Sequence, residues 1–409
     1  MSRSGRKTVF LLFREFPPRF HGGAPIILFE LFRRLKNYSL IVSTSRADDP
    51  EGRELIEDAE IHRHSFLPTM AEPDFSGWPQ PFRFALRYFS YFLWNLAVLG
   101  IGLRRPIDYV FLGRLDYAYP AAMLLSRLKR VPLITLFYGE EWTMINRRAT
   151  ADWKLHSFFF GAFVRSVDLL VCTAEFARRD LEQAGLLQGE GTVIPPGVDS
   201  EVFRPAEDKN QLCRKHAPGA DLLLLSMGRL QERKGQDRVI EAFARLRGKY
   251  PGARLIIAGT GATEGRLKDL ARELGVESKV RFTGNVPYHD PQRIELFQAA
   301  DIFLMPNRRS ALNDLEGFGI VFLEANACGV PVIGGDDGGV PDAVAHGRTG
   351  YVVDADTTGP VVGVLDRLMG DGELRQRLGA EGRRRVVEEF SWELMAERYE
   401  AWFRRLAER

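Results

Sequence analysis

The chain has 409 residues, of which 45% are hydrophobic and 27% are charged, a composition typical of a soluble globular protein. With 56 basic and 54 acidic residues the formal net charge is only +2, which lacks the basic excess of a dedicated nucleic-acid binder, so we expect no nucleic-acid partner. A chain of this length predicts two domains.

The three cysteines, Cys172, Cys213 and Cys328, lie far apart in the sequence. They form neither a disulfide framework nor the spacing of a metal knuckle, and they fit a reducing cytoplasm. The first apolar run, at residues 9–13, is shorter than the core of about 7–15 residues that a signal peptide needs, and we interpret it as the first strand.

The N-terminal half alternates short apolar runs with amphipathic stretches, which predicts a parallel sheet covered by helices on both faces. Its predicted strands are 8–13, 39–45, 61–66, 108–112, 131–137, 167–173 and 192–194, and its predicted helices are 25–35, 117–129 and one that begins at Glu175.

The segment 81–103 is long, apolar and aromatic, but Arg83, Arg87 and Asn95 interrupt it. Its uninterrupted part is shorter than the ~20 residues that span a bilayer. Two interpretations stay open. We favour a helix packed on the sheet, and the alternative is a helix on a membrane surface with its aromatic face among the lipid headgroups.

A stretch rich in proline and glycine at 195–220 marks a domain boundary, with domains at 1–199 and 200–390. The second half repeats the alternation and predicts a doubly wound α/β domain whose site lies at the carboxyl ends of its strands. Ser391 is a candidate N-cap for the last helix. The predicted strands are 222–227, 254–258, 280–283, 302–305, 332–334 and 351–353, and the predicted helices are 236–247, 264–274, 291–300, 319–327 and a helical tail from about 359 onward.

Two cations follow the first strand of this second half. The loop 228–235 begins with Gly228 and carries Arg229 and Lys234 just before a helix. Cationic side chains together with free backbone N–H groups suit a diphosphate. The turn at 284–287, after a later strand, could seat a flat base through its backbone.

Two carboxylates stand eight residues apart in the stretch 307–339. Glu316 ends a polar loop, and Glu324 lies inside the apolar helix that follows. The start of that helix offers N–H groups and a partial positive charge to an anion, and Gly317 and Gly319 allow a ligand to approach the backbone closely. Carboxylates accept hydrogen bonds from sugar hydroxyls. The stretch therefore predicts a ligand with both a phosphate and hydroxyls.

The spacing Glu316-x7-Glu324 within EGFGIVFLEANACGVPVI resembles the signature of retaining glycosyltransferases with the GT-B fold, family 4, also called group 1 glycosyltransferases. The run DLEGFGIVFLEANACG, with MPNRR before it, is most similar to bacterial GDP-mannose-dependent mannosyltransferases of the phosphatidylinositol-mannoside type. The resemblance covers nearly the whole chain. Its other motifs are Gly22-Gly23, IPPGVD at 194–199, Gly228-Arg229 with Lys234, GGVP at 338–341 and FSWE at 390–393.

The resemblance implies two Rossmann-like domains that face each other across a cleft, with the last helix, 391–409, packing back on the first domain. It implies retaining, metal-independent transfer of a mannose- or glucose-type hexose from a nucleotide-diphosphate sugar to a glycan or lipid-linked acceptor, in bacterial glycolipid or polysaccharide synthesis. GDP-mannose is the first expected donor and UDP-glucose, or another UDP-sugar, the second. No cofactor is expected. The expected location is the cytoplasm, or the inner face of the membrane if 81–103 contacts lipid.

The resemblance also implies roles for individual residues. Arg229 and Lys234 would hold the diphosphate and stabilise it as the leaving group, and Glu316 would bind hydroxyls of the transferred sugar; these three form the predicted catalytic set. Glu324 would bind the ribose. The predicted donor-binding residues are Gly22, Gly23, Gly228, Asn285, Val286, Gly317, Phe318, Gly319, Ile320 and Glu324.

One position departs from the family. Many relatives carry His-Gly where this chain has Tyr138-Gly139, and tyrosine does not titrate near neutral pH. Tyr138 is therefore either a sugar or acceptor contact or a packed aromatic side chain. The candidates on the acceptor side are His21, Tyr138, Glu140 and Glu141.

Two rival functions remain at this point. The first is another sugar-nucleotide enzyme on the same fold, an epimerase or a phosphorylase, which would need a titrating group at the sugar or a lysine that binds pyridoxal phosphate. The second is a non-catalytic, transferase-like subunit of a polysaccharide assembly complex. The paired acids and the cationic loop disfavour both.

Overall fold

The computed structural model describes residues 5–16, 22–45, 59–64, 80–114, 118–139, 141, 161–187, 190–309 and 314–409. The chain forms two compact units. The first consists of Met1–Ile194 with Met395–Arg409, and the second of Pro195–Leu394. The chain thus leaves the first unit a few residues before the predicted boundary at 199/200, and it returns within the last helix.

The first unit contains a seven-stranded parallel sheet with the strand order β3-β2-β1-β4-β5-β6-β7. Its strands are β1 (Lys7–Leu12), β2 (Tyr38–Ser45), β3 (Glu60–His64), β4 (Tyr109–Leu112), β5 (Leu133–Phe137), β6 (Leu169–Cys172) and β7 (Glu190–Val193), and its first helices are α1 (Gly23–Phe32), α2 (Gln80–Arg104), α3 (Tyr119–Lys129) and α4 (Glu175–Gln183). Buried β-strands of a parallel sheet read as apolar runs, and all seven were predicted to within two residues at each end.

Helix α2 has two different faces. Tyr91, Trp94 and Val98 are buried in the core of the sheet, and the Trp94 indole Nε1 donates a hydrogen bond to Ser43 Oγ at 3.0 Å. The opposite face exposes large apolar side chains, among them Phe92, which is 57% exposed. Helix α2 therefore packs on the sheet, as favoured above. Within the described ranges, no helix is long and apolar enough to cross a membrane.

The second unit contains a six-stranded parallel sheet with the strand order β10-β9-β8-β11-β12-β13. The order reverses between β8 and β11, which is where open α/β sheets bind their ligands. Its strands are β8 (Leu222–Met227), β9 (Ala253–Ala258), β10 (Val280–Gly284), β11 (Ile302–Met305), β12 (Val332–Gly335) and β13 (Gly350–Val353), and its helices are α5 (Lys209–His216), α6 (Gln236–Leu246), α7 (Glu264–Glu273), α8 (Pro291–Ala299), α9 (Ile320–Ala327), α10 (Val340–Ala343), α11 (Thr358–Gly370) and α12 (Gly372–Glu389).

Two parts of this unit differ from the prediction. Helix α5 lies within the stretch interpreted as a linker; it is short, and Asp208 caps it by accepting a hydrogen bond from Gln211 N at 2.9 Å. The helical tail is divided, because Asp371 ends α11 and caps α12 through Leu374 N at 2.9 Å. The predicted cap at Ser391 is present, since its Oγ accepts a hydrogen bond from Leu394 N at 3.2 Å.

The last helix, α13 (Trp392–Ala407), completes the core of the first unit with one aromatic side chain. Phe403 is fully buried, and its ring stacks on that of Tyr109 in β4 at 5.0 Å between centroids. The Tyr109 hydroxyl donates to the Phe403 carbonyl at 2.7 Å. Burial raises the pKa of Tyr109 to about 12, so this donor stays protonated over the ordinary pH range.

Phe403→Ala should lower the free energy of unfolding of the first unit by about 3–5 kcal/mol, because it opens a cavity against Tyr109. Tyr109→Phe should lower it by about 1 kcal/mol through the lost hydrogen bond. Urea denaturation followed by tryptophan fluorescence measures both. Arg404→Ala, on the exposed side of the same helix, is the control and should change little. A Phe403→Ala loss no larger than that of the control would contradict the packing of α13.

Candidate functional site

The loop after β8 brings two cations inward. Residues Glu232–Lys234 form one turn of 3-10 helix before α6, and the side chains of Arg233 and Lys234 are both buried. The backbone N–H of Arg308, after β11, donates to the Arg233 carbonyl at 2.9 Å. The Arg308 guanidinium also binds both carboxylate oxygens of Asp237, at 2.8 and 2.7 Å. The loops after the two central strands are therefore fastened to each other.

Glu316 lies at the centre of this arrangement. A single oxygen, Oε2, accepts hydrogen bonds from Arg233 Nη1 at 2.7 Å, from Asn307 Nδ2 at 3.0 Å and from Lys234 Nζ. Arg233 Nε also lies 3.1 Å from an oxygen of Asp314. We call Glu316, Arg233, Lys234 and Asn307 the Glu316 cluster.

Burial and charge set the protonation of this cluster. Burial alone would raise the pKa of Glu316, but Lys234 and Arg233 lower it to about 2, so the carboxylate is ionised. The pKa of Lys234 is lowered to about 8, chiefly by burial and also by the neighbouring charges of Arg233 and Arg229, while Glu316 acts in the opposite direction. The pKa of the Lys234 ammonium group therefore lies close to neutral pH.

Two glycines, Gly335 and Gly338, allow the backbone at and just after the end of β12 to lie directly against the backbone of Asn307 and Glu316. A β-carbon at Gly338 would overlap the carbonyl oxygen of Glu316, and a β-carbon at Gly335 would overlap that of Asn307. The next residue, Gly339, donates its N–H to the Glu316 carbonyl at 2.9 Å. Side chains at these positions would push Glu316 or Asn307 away from the cations.

Helix α9 begins directly after this point. Gly319 is its N-cap residue, with a left-handed φ of 90° that favours glycine. No side chain caps the first turn of the helix, whose leading N–H groups have no partner within the helix itself. Ile320 is the first helical residue. The binding of an anion at this helix end stays a prediction.

Glu324, one turn further along α9, is fully buried. Its Oε2 accepts a hydrogen bond from Arg293 Nη2 in α8 at 2.6 Å. The turn after β10 supplies the other predicted donor contacts, with Asn285 exposed and Val286 buried.

The structure brings two of the three predicted catalytic residues into contact with each other. Lys234 and Glu316 are in direct contact. Arg229 is exposed, and the buried arginine at Glu316 is instead its near neighbour Arg233. The charge of Arg229 still reaches Lys234, since it lowers the pKa of that lysine. Gly228 precedes Arg229 in the same loop.

Sequence reasoning missed Arg233, Asn307 and Arg293. The pair Arg233-Lys234 could have been noticed as two adjacent cations, and a 3-10 turn allows both side chains to reach Glu316. Asn307 and Arg293 stand 9 and 31 residues from the acids they contact. No local signal identifies these partners, because the contacts arise from neighbouring elements of the fold.

The first unit holds the remaining candidates. Gly22 is the N-cap residue of α1, and Gly23 its first residue. The Tyr138 side chain is buried, and its hydroxyl donates to the Gly113 carbonyl at 2.9 Å. Glu141 is buried and accepts a hydrogen bond from Tyr138 N at 3.0 Å. Tyr138 is therefore a packed aromatic in this structure. The candidates His21 and Glu140 lie outside the described residues.

Comparison with known families agrees with this organisation. The family described as glycosyl transferases group 1 matches residues 208–385, and the family described as glycosyltransferase family 4 matches residues 21–202. A GDP-mannose-dependent monoacylated alpha-(1-6)-phosphatidylinositol monomannoside mannosyltransferase of Corynebacterium glutamicum is 32% identical over 97% of this chain and 97% of its own length. A GDP-mannose-dependent alpha-(1-6)-phosphatidylinositol monomannoside mannosyltransferase of Mycobacterium tuberculosis is 30% identical over 95% and 96%.

Solved structures show the same fold. Sucrose-phosphate synthase from Thermosynechococcus elongatus superposes with a TM-score of 0.80 at 20% identity, covering 98% of this chain and 99% of its own. WaaG, a glycosyltransferase involved in lipopolysaccharide biosynthesis, gives a TM-score of 0.68 at 20% identity, covering 96% and 98%. The predicted GT-B fold class is confirmed. With a relative 32% identical along nearly its whole length, this chain belongs to the group 1, family 4 glycosyltransferases.

Proposed function

We propose that this protein transfers mannose from GDP-mannose to a hydroxyl of a glycan or lipid-linked acceptor, with retention of configuration and without a metal ion. The observation that carries the proposal is the Glu316 cluster beside the start of α9, which combines buried cations with an acceptor for sugar hydroxyls. The two mannosyltransferase relatives favour GDP-mannose over UDP-glucose, which stays the second candidate donor.

Lys234 and Arg233 are suited to stabilise the leaving diphosphate. Negative charge develops on the diphosphate as its bond to the sugar C1 breaks, and preorganised buried cations stabilise that charge more strongly than water does. The N–H groups at the start of α9 add a third source of positive potential. These groups supply the charge that a divalent cation would otherwise provide, which supports the metal-independent reaction.

Glu316 is suited to bind the transferred sugar rather than attack it. Three donors already hold its Oε2, and its pKa of about 2 makes it a weak base. A carboxylate so held is a poor nucleophile, which argues against a covalent sugar intermediate on this residue. We propose instead that the acceptor oxygen bonds to C1 on the face from which the diphosphate leaves, and that the acceptor proton passes to the departing phosphate oxygen.

The nucleotide would extend from this cluster along the carboxyl end of the sheet. Glu324 would accept hydrogen bonds from the ribose, and the turn at Asn285 and Val286 would contact the base. The backbone from Gly317 to Ile320 would bind the phosphates and the sugar. Gly22, Gly23, His21, Glu140 and Glu141 stay predictions for the first unit.

We also propose peripheral contact with an anionic membrane through α2. Phe89, Phe92 and Leu96 recur at helical spacing on its exposed face, so they form one apolar stripe. Arg104 ends the helix, where its charge would attract anionic headgroups, while the neighbouring Arg105 is paired with Glu60 at 2.6 Å. A lipid-linked acceptor would be met at such a surface.

A donor screen tests the main proposal. The purified protein is incubated with GDP-mannose, UDP-glucose or UDP-galactose and a mannosylated inositol phospholipid, and the products are identified by mass. We expect a gain of one hexose with GDP-mannose, and the α configuration preserved by NMR. A product from UDP-glucose alone would overturn the choice of donor. Inversion would overturn the mechanism, and absence of any transfer would favour the non-catalytic subunit.

Lys234→Ala should lower kcat at least about hundredfold while the circular dichroism spectrum is retained, because a charge contact to the leaving group is lost. Lys268 is an exposed lysine of the same unit. Lys268→Ala is the matched control and should leave kcat unchanged. Activity of Lys234→Ala equal to that of the control would remove Lys234 from the site.

Binding of GDP should weaken as the pH rises through about 8. Lys234 has a lowered pKa of about 8 in the free protein, and a bound diphosphate would raise that pKa, so the favourable interaction is full below pH 8 and is lost above it. Calorimetric titration between pH 6.5 and 9.5 measures the change. Lys234→Arg should flatten the profile, since arginine stays charged. An identical slope in Lys234→Arg would refute this assignment.

The double variant Phe89→Ser/Phe92→Ser should reduce binding to vesicles of phosphatidylglycerol and phosphatidylcholine at least about tenfold, because two apolar side chains are removed. Flotation with the vesicles measures it, and Val387→Ser, an exposed apolar position of the second unit, is the control. Equal flotation of the double variant and the wild type would refute contact through α2.

A further inference from the structure

Glu324 has an incomplete set of partners for a buried carboxylate. The side chain is 0% exposed, and its Oε2 is held by Arg293 Nη2 at 2.6 Å. The other oxygen, Oε1, is also buried, and among the described residues it has no hydrogen-bond partner. A buried charged oxygen without a partner is expensive, so this atom points to a donor that the protein itself does not supply.

Arg293, the partner of Oε2, is itself held in place by its neighbours. It lies in the first turn of α8, which Asp290 caps by accepting a hydrogen bond from Gln292 N at 2.8 Å. Its guanidinium lies 5.6 Å from the ring centroid of Tyr288 and 5.7 Å from that of Phe297, and its side chain is only 11% exposed. Two aromatic rings and the helix therefore determine where the guanidinium can lie.

The pairing uses one oxygen of the carboxylate. Arginine often binds a carboxylate through two parallel hydrogen bonds, which would occupy both oxygens. Here Nη2 contacts Oε2 and no hydrogen bond to Oε1 is formed, while Arg293 Nε is itself buried without a partner among the described residues. The geometry thus holds Glu324 from one side and leaves its second oxygen as an acceptor.

We propose that Arg293 is a positioning residue that orients Glu324 so that Oε1 accepts a hydrogen bond from a ribose hydroxyl of the donor, and that this pair determines the preference for ribonucleotides over deoxyribonucleotides. The inference rests on the proposed function, which takes Glu324 as the ribose contact. It adds the residue that prepares Glu324 and the selectivity that results.

The protonation of Glu324 explains why a cation is needed. Burial raises the pKa of Glu324, and Arg293 acts in the opposite direction. An ionised carboxylate accepts a charge-assisted hydrogen bond from a hydroxyl, about twice as strong as a neutral one. Without Arg293 the effect of burial on that pKa would be unopposed, and a proton bound to the carboxyl group would occupy one of its two oxygens.

The expected selectivity follows from the nucleotide that lacks the hydroxyl. Such a nucleotide leaves Oε1 buried and unpaired, and a site built to bind a hydroxyl rejects analogues without it. If Glu324 is misdirected or neutral, the hydroxyl contributes less to binding. Such a protein should therefore discriminate poorly between the ribonucleotide and its deoxy analogue, even where it still binds both.

The test compares GDP with 2′-deoxy-GDP and 3′-deoxy-GDP by calorimetry at pH 7.5, in wild type, Arg293→Met, Arg293→Lys and Glu324→Gln. Wild type should prefer GDP over at least one deoxy analogue by about tenfold or more. Arg293→Met should bring that ratio close to one and Arg293→Lys should restore part of it, while Glu324→Gln should lower it only in part, because its amide still forms a weaker, neutral hydrogen bond. Arg281→Met, at an arginine of β10 whose guanidinium binds the His216 carbonyl, is the matched control and should keep the wild-type ratio.

The outcomes separate the two levels of the proposal. A merely structural role would weaken GDP and its deoxy analogues equally in Arg293→Met and leave the ratio unchanged, and that result would overturn the inference alone. Thermal unfolding identifies a variant that has lost its fold. If Arg293→Met is such a variant, the ratio of affinities for GDP and its deoxy analogue in Arg293→Lys and Glu324→Gln tests the inference instead. A wild type that binds neither GDP nor UDP would overturn the proposed function and this inference with it.

Discussion

The second unit depends on one buried carboxylate that shares a single oxygen among three donors. Glu316 joins the loop after β8, the loop after β11 and the start of α9, so three elements take their positions from it. Removing one partner from a buried ion pair leaves the other charge uncompensated, which destabilises a protein strongly. The same contacts that fix the loops therefore keep positive charge inside the fold, where electrostatic interactions are stronger than in water.

Much of the fold could be predicted from the sequence, because the signals are local. A strand buried on both faces must be apolar throughout, and short apolar runs identified most strands of both sheets; the exceptions are the edge strands β3 and β7, which carry polar residues. Helix α5 was missed because prolines and glycines surround it, and they indicated a linker. The break in the helical tail at 371 was missed because Asp371 caps a new helix without any change in overall composition.

The candidate site could be predicted only in part. Lys234, Glu316 and Glu324 lie in motifs with a fixed spacing, so their relation was visible in the sequence. Arg233 was missed because a 3-10 turn, rather than the motif, brings its side chain to Glu316, and Arg229 stays a prediction as a diphosphate contact. Asn307 and Arg293 reach their carboxylates only once neighbouring elements are packed.

The glycines that bring Glu316 and Asn307 close to the last turns of the sheet also limit how this site can diversify. Backbone lies directly against backbone at Gly335 and Gly338, so these positions accept no side chain without displacing the charged residues beside them. A laboratory effort to change the preferred sugar nucleotide would find few useful substitutions there. Asn285, by contrast, lies on an exposed turn, where libraries would test its proposed contact with the base and leave the charged framework intact.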